Sequence, residues 1–423
     1  MSITMKYLSY AAIPFMAATL STQAATVDQV NSQIQQLNER ISKSSQRLRI
    51  NGFASFGLTQ SDEEPNYNGI NNEANFRRNT KAGVQMSFSI DDKTSVVAQL
   101  VSRGTDDFDT NMEWAYLKHQ FSSNLSTKVG RIRSPIYMLS EYLDVGYAVP
   151  WATMPQETYE TLSAFSNMDG ADLTYSMDIG NMIGTAQVAY GRVDSPSIVL
   201  KNLISLGFTL AGDDWQTRLA YSQADTKSEL GGVDLFGDDE TVKGSFISLG
   251  MTYDPGNIYV AAETTLLEVD GSIADATSSF GTFGYRIGSW MPHITYAVTE
   301  STDDEDRALQ LAADKNTGGS LATLSAVGAD GNAASATNPS LAALASVYGA
   351  SLNRNTQRIG IGARWDYASG VAIKFQYDII TTDDAPGLFG SSTADATTYV
   401  TAASAGTEPD STNIISITID TVF

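Results

Sequence analysis

The chain contains no cysteine and only 2 histidines in 423 residues. The first absence excludes a disulfide framework, thiolate chemistry and Cys-type metal sites, and the second leaves little room for His-based catalysis. Basic residues are scarce as well: 26 Lys and Arg stand against 48 Asp and Glu, for a formal net charge of -22. Nucleic acid is thereby excluded as a partner, because binding phosphates needs clustered Lys and Arg. Long apolar runs are also missing. The single such run, 7–20, contains Pro14 and follows Lys6. It falls short of the ~20 residues that a spanning helix needs. Small residues close it, so 1–24 reads as a secretory signal cleaved near Ala24 or Ala25. The expectation is an exported chain that has no spanning helix and needs no cofactor or metal.

What the chain has in abundance is alternation. A short seam comes first: Val27, Val30, Ile34, Leu37 and Ile41 recur at spacings of three and four. Residues 25–46 are therefore expected to form a short helix, either a small coiled coil tying subunits together or an amphipathic helix lying against the body of the protein. From Leu48 the period changes to two. Leu48, Ile50, Ala54, Phe56 and Leu58 alternate with Arg49, Asn51, Ser55 and Thr59, and later segments repeat the pattern through Ile359–Tyr367, Val371–Ile379 and Ile415–Ile419. Charges are expected on the non-apolar face alone. The segments at 94–102 and 112–121 do not resolve into two faces.

Between these segments, long connections and tight turns take strict turns. Tight turns fall near 91–93, 122–124, 179–181, 212–214, 254–257, 288–289 and 368–370, and long connections at 61–74, 104–111, 134–168, 301–356 and 381–411 among others. About sixteen strands lie between them, each near the ~9–11 residues of a tilted membrane strand. Trp215, Tyr253, Trp365 and Tyr367 sit beside tight turns, where an interfacial aromatic girdle belongs. A bilayer tolerates strands only when every edge is paired. The expected fold is all-β: a transmembrane antiparallel β-barrel of about sixteen strands over 47–423, preceded by the short coiled-coil helix.

A signal sequence, about sixteen alternating strands, seven tight turns and a last strand ending on Phe423 together resemble the trimeric porins of Gram-negative outer membranes. The seam at 27–41 is similar to the N-terminal coiled coil of the sugar-type porins. The resemblance implies a homotrimer in the cell outer membrane, in contact with lipid and lipopolysaccharide. It also implies that the barrel-assembly machinery recognises Phe423. The loop after the fifth strand of such porins folds into the lumen, and here 134–168 holds that position, though without the Pro-Glu-Phe-Gly-Gly signature of those loops. It carries Glu141, Asp144, Glu157 and Glu160 among five Tyr and Trp residues. The basic side chains expected to face these carboxylates are Arg49, Arg77, Lys81, Arg103, Arg131 and Arg133. Opposed charges of this kind tune ion selectivity.

The functional expectation is a water-filled channel for ions and small hydrophilic solutes, mildly cation-preferring given the acidity. The alternatives are a sugar or dicarboxylate channel and a plugged structural or adhesive barrel. An enzyme is not expected, since neither His119 nor His293 has an activated nucleophile or carboxylate pair beside it in the pattern. Asp303–Asp306 opens the longest loop and reads as solvated surface, or as a place for divalent cations that bridge lipopolysaccharide.

Overall fold

The structure is a computed structural model that describes residues 47–63, 67–162, 165–195, 198–230, 233–234, 241–270, 274–303, 354–382 and 410–423. The signal at 1–24, the helical seam at 25–46 and most of the acidic loop after Asp303 lie outside the described residues. The chain divides into residues Met1–Leu48 and a compact unit, Arg49–Phe423.

The alternating segments become β1 (Leu48–Ser61), β2 (Lys81–Ser89), β3 (Thr94–Arg103), β4 (Thr110–Gln120), β5 (Leu125–Arg133), β6 (Asn167–Ile179), β7 (Met182–Asp194), β8 (Ile198–Ala211) and β9 (Trp215–Leu230). They continue as β10 (Val233–Asp234), β11 (Val242–Tyr253), β12 (Ile258–Val269), β13 (Ala276–Tyr285), β14 (Trp290–Ser301), β15 (Asn355–Ala368), β16 (Val371–Thr382) and β17 (Ser411–Val422). β10 is a two-residue extension paired back on the end of β9. The other sixteen strands form one antiparallel sheet in chain order. β17 closes it on β1, from Phe53 opposite Val422 to Ser61 opposite Ile414. Closure leaves no strand edge unpaired, the condition a bilayer imposes. Long connections gather at one end and tight turns at the other. Gly180 and Gly288, each at φ +62 in open space, make two of those turns possible by taking up the left-handed region.

The faces are reversed relative to a soluble protein. Leu206, Phe208, Ile247, Leu249, Ile359, Ile361, Ile415 and Ile419 are exposed on the outside, whereas Ser205, Ser222, Ser248, Thr265, Thr282, Thr295 and Ser416 are buried within. Hydroxyl pairs run across the inner wall, as in Ser278 with Thr299 and Thr282 with Thr295, both at 2.8 Å. At the tight-turn end Trp290 stacks on Trp365 with ring centroids 5.2 Å apart, and Tyr367 meets Trp365 edge-on. These rings provide the apolar body and polar tip that suit a membrane–water boundary.

Two departures from the sequence pattern have physical causes. Alternation fails in β4 because the register with β3 slips there: Gln99 pairs with Trp114, but Leu100 pairs with Met112. Glu113 is the extra residue of a β-bulge, and the bulge turns both it and Trp114 inward. The second departure corrects the expectation that charges avoid the outer face. Arg131 pairs in register with Ala115 and Asp169, on the face of the exposed Leu117 and Val129. It meets Asp169 at 3.3 Å, with side-chain exposures of 40% and 50%. Arg192 lies opposite Asp169 on the next strand. Arg131, Asp169 and Arg192 are each the third residue from the long-loop end of their strand, near the interface, where a charge on the lipid face costs only ~0–1 kcal/mol.

Candidate functional site

The connection after β5, residues 134–166, does not stay outside. Ile136, Tyr137, Val149, Trp151, Thr153, Glu157 and Tyr159 are all buried inside the barrel. The wall from β9 to β17 grips the connection chiefly by its backbone. Arg218 donates to the Pro135 carbonyl at 3.0 Å and Ser248 to the Ile136 carbonyl at 2.6 Å. Glu263 accepts from the Met138 N–H at 2.8 Å and from the Tyr159 hydroxyl at 2.7 Å. Arg364 donates to the carbonyls of Tyr147 and Val149, and Lys374 to those of Gly146 and Trp151, at 2.6–3.1 Å. The Gln376 amide binds both ways at Thr153, accepting from its N–H at 3.3 Å and donating to its carbonyl at 3.0 Å. Irregular backbone inside a barrel needs such partners, because a buried carbonyl without one costs ~1–3 kcal/mol.

Side chains complete the attachment. Trp151 is 1% exposed, packs edge-on against Phe280 at 5.6 Å, and donates its indole N–H to Thr282 and Thr295 at 3.0 and 2.9 Å. Tyr137 packs edge-on against Phe246 at 5.3 Å. Gly146 is required by close approach, since a Cβ there would collide with Asp420 and Ser55. A second connection also enters. Tyr67 and Ile70, from what reads as a polar loop at 61–74, are 0% exposed and pack with Ile380 and Ile414. The Tyr67 hydroxyl donates to Glu157 at 3.0 Å.

On the opposite side, toward β1 to β5, a cleft of about 500 Å³ remains between connection and wall. Arg78, Lys81, Arg103 and Arg133 line it together with Asp106, Asp144, Glu160 and Asp420. Asp144 is central. Arg103 donates to it through Nε and Nη2 at 2.9 and 2.8 Å, Arg133 through Nη2 at 2.7 Å, and Lys81 binds the adjacent Leu143 carbonyl at 3.0 Å. Arg103 also reaches Glu113 at 2.6 Å. Burial alone would push the Asp144 carboxyl up, but Arg103, Arg133 and Lys81 outweigh it and hold the group well below the usual carboxylate range. For Glu157 the balance is the reverse. Burial raises it, and the nearby Arg358 offsets this only in part, being already bound to Asp378 at 2.9 and 2.6 Å.

The sequence candidates are thus distributed. Lys81, Arg103, Arg133, Asp144 and Glu160 meet at the cleft, where Glu160 pairs with Arg78 at 2.5 Å. Glu157 is enclosed beside Arg358, 3.7 Å away. Glu141 pairs with Lys128 at 3.2 Å, with more than half of its side chain exposed. Like these two, the remaining three candidates do not line the cleft. Arg49 is exposed at the start of β1, Arg77 pairs with Asp107 on the surface, and Arg131 faces outward. Four participants were not singled out from the sequence. Arg78 is masked by its neighbour Arg77, Glu113 is hidden by the bulge, and Tyr67 carries no signal in the pattern. Asp420 did sit on the polar face of the last strand; it accepts from Ser55 at 2.5 Å and pairs with Lys374 at 3.0 Å. The histidines lie elsewhere: His119 meets Thr94 at 3.0 Å near a tight turn, and His293 is buried over Gly362.

Solved structures share this architecture. The outer membrane channel DcaP of Acinetobacter baumannii superposes with a TM-score of 0.54 at 12% identity, covering 89% of this chain and 97% of that one. The fold is the porin fold. An anion-selective porin from Comamonas acidovorans gives 0.54 at 11% identity, covering 89% and 99%, and OmpF of Salmonella typhi, solved with daunomycin, gives 0.53 at 13%, covering 89% and 97%. No family model and no curated protein matches the sequence.

Proposed function

We propose that the protein is an outer-membrane porin, a non-enzymatic channel for passive diffusion of ions and small hydrophilic solutes. The connection at 134–166 acts as its constriction, and the cleft facing β1 to β5 is the open path. The observation that carries this reading is the cleft itself, with four cations and four carboxylates lining one passage beside a firmly held loop. Sixteen strands enclose a lumen wide enough for water, and charges facing one another across a narrow passage order water and discriminate between ions. Most of these charges are mutually paired, so the field is moderate. With a formal net charge of -22 around it, the channel mildly prefers cations.

The assembly follows the same reading. The protein forms a homotrimer among outer-membrane lipid and lipopolysaccharide, and the assembly machinery recognises Phe423. The residue suits that role: its N–H and carbonyl pair with Gly52 at 2.9 and 2.7 Å, while the residue as a whole is 72% exposed. The test is planar-bilayer recording across a KCl gradient. Stepwise currents with a reversal potential on the cation side support the reading; the absence of steps from folded protein would instead indicate a plugged barrel.

A further inference from the structure

The inner wall behind the loop is unlike the rest of the lumen. At the long-loop end of β8, β9, β11 and β12 it presents Leu203, Ala224, Phe246 and Leu267, all buried, where neighbouring positions carry Ser and Thr. Between these residues and Ile136, Leu162 and Phe165 of the loop lies a second cavity of about 130 Å³. Two polar groups on its lining lack side-chain partners among the described residues. The Ser134 hydroxyl is buried without a hydrogen bond among the described residues. The Arg354 guanidinium forms no ion pair among them, and Glu160, whose charge acts on it, is bound to Arg78. Burial opposes its charge, and Tyr137 and Glu160 only partly restore it.

An apolar recess edged by a cation and a hydroxyl that have no partner among the described residues matches one ligand chemistry. The body must be apolar to fill the recess, and a carboxylate must accept from the guanidinium and the hydroxyl. We propose that this cavity is a binding subsite for small monocarboxylates with an apolar body, such as arylacetates, with the carboxylate on Arg354 and Ser134 and the ring against Phe246 and Leu267. The subsite does not depend on conduction. If the cleft conducts, the subsite holds such solutes beside the path at its long-loop mouth.

Titration calorimetry on the folded full-length protein in detergent tests this, with phenylacetate as the probe and acetate and 2-phenylethanol as its two halves. Phenylacetate should bind, with each half at least roughly tenfold weaker. Arg354→Gln should weaken phenylacetate about tenfold, the loss of one charge-assisted contact, and leave 2-phenylethanol unchanged. Ala224→Leu, which fills the cavity, should weaken both aromatic ligands. No binding of phenylacetate, equal binding of acetate, or an unchanged affinity in folded Arg354→Gln would overturn the proposal. Salt conductance, recorded separately, bears only on the channel reading.

Discussion

The two sides of the lumen hold the same loop in different ways. From β9 to β17 the wall binds its backbone, with Arg218, Arg364 and Lys374 each ending on a main-chain carbonyl. From β1 to β5 the wall meets its carboxylates, through Arg103 and Arg133 on Asp144 and through Arg78 on Glu160. Backbone contacts fix position without regard to side-chain charge, whereas ion pairs at the edge of a cleft leave a field in the space beside them. In the proposed channel, one side therefore anchors the loop and the other faces the path. Cations occupy both sides, and the division is one of degree, since Lys81 of β2 also ends on a main-chain carbonyl, that of Leu143.

Breaking the anchor should have the largest effect. Trp151→Ala removes the Phe280 contact and two hydrogen bonds, at a cost of about 3–5 kcal/mol. The loop should loosen, seen as higher and noisier single-channel conductance and a lower temperature of unfolding on heat-modifiability gels. Next comes Asp144→Asn, which leaves Arg103 and Arg133 with Glu113 as their nearest remaining carboxylate. A cost of about 1.5–3 kcal/mol is expected for the weakened charge-assisted bonds, with the reversal potential shifting toward anions. The two variants separate the two roles: the first should change conductance more than selectivity, and the second the reverse.

The pH response sharpens the same contrast. Asp144 is depressed in the folded state, so its contribution is present above the ordinary value of 3.8 and is lost as pH falls through its lower folded value. Glu157 is raised, so its ionisation opposes folding as pH rises through the ordinary value toward the folded one. Acidification from pH 7 to pH 4 should therefore leave the unfolding temperature level or slightly higher, with the fall confined to more acid solution. The smallest effect belongs to Arg131→Gln, an exposed pair worth under ~1 kcal/mol. Its reversal potential should match that of the unaltered protein.

The wall was largely legible in the sequence. Period-two alternation specifies the strands, and the order of long and short connections specifies closure, because both follow from local chain geometry. The inward loop was legible only through its position and composition. The pairing at the cleft was not, since a side chain's partner across a lumen depends on register and bulges. Glu113 illustrates this: one extra residue in β4 turns it onto Arg103, and no periodicity shows it. Arg131 illustrates the converse, because a position two residues short of a strand's long-loop end is invisible to an alternation count. Tyr67 and Ile70 enter the barrel from a stretch whose composition is that of any solvated loop.

The division between an anchored side and an open side can be measured directly, since a chain without cysteine accepts single reporter thiols. Ala152→Cys places one on the loop at the cleft, and Ser222→Cys places one on β9 behind it. Each variant is recorded in a planar bilayer before and after addition of a bulky methanethiosulfonate. The account predicts loss of most of the current for Ala152→Cys and an unchanged current for Ser222→Cys. Block at Ser222→Cys with none at Ala152→Cys would contradict it.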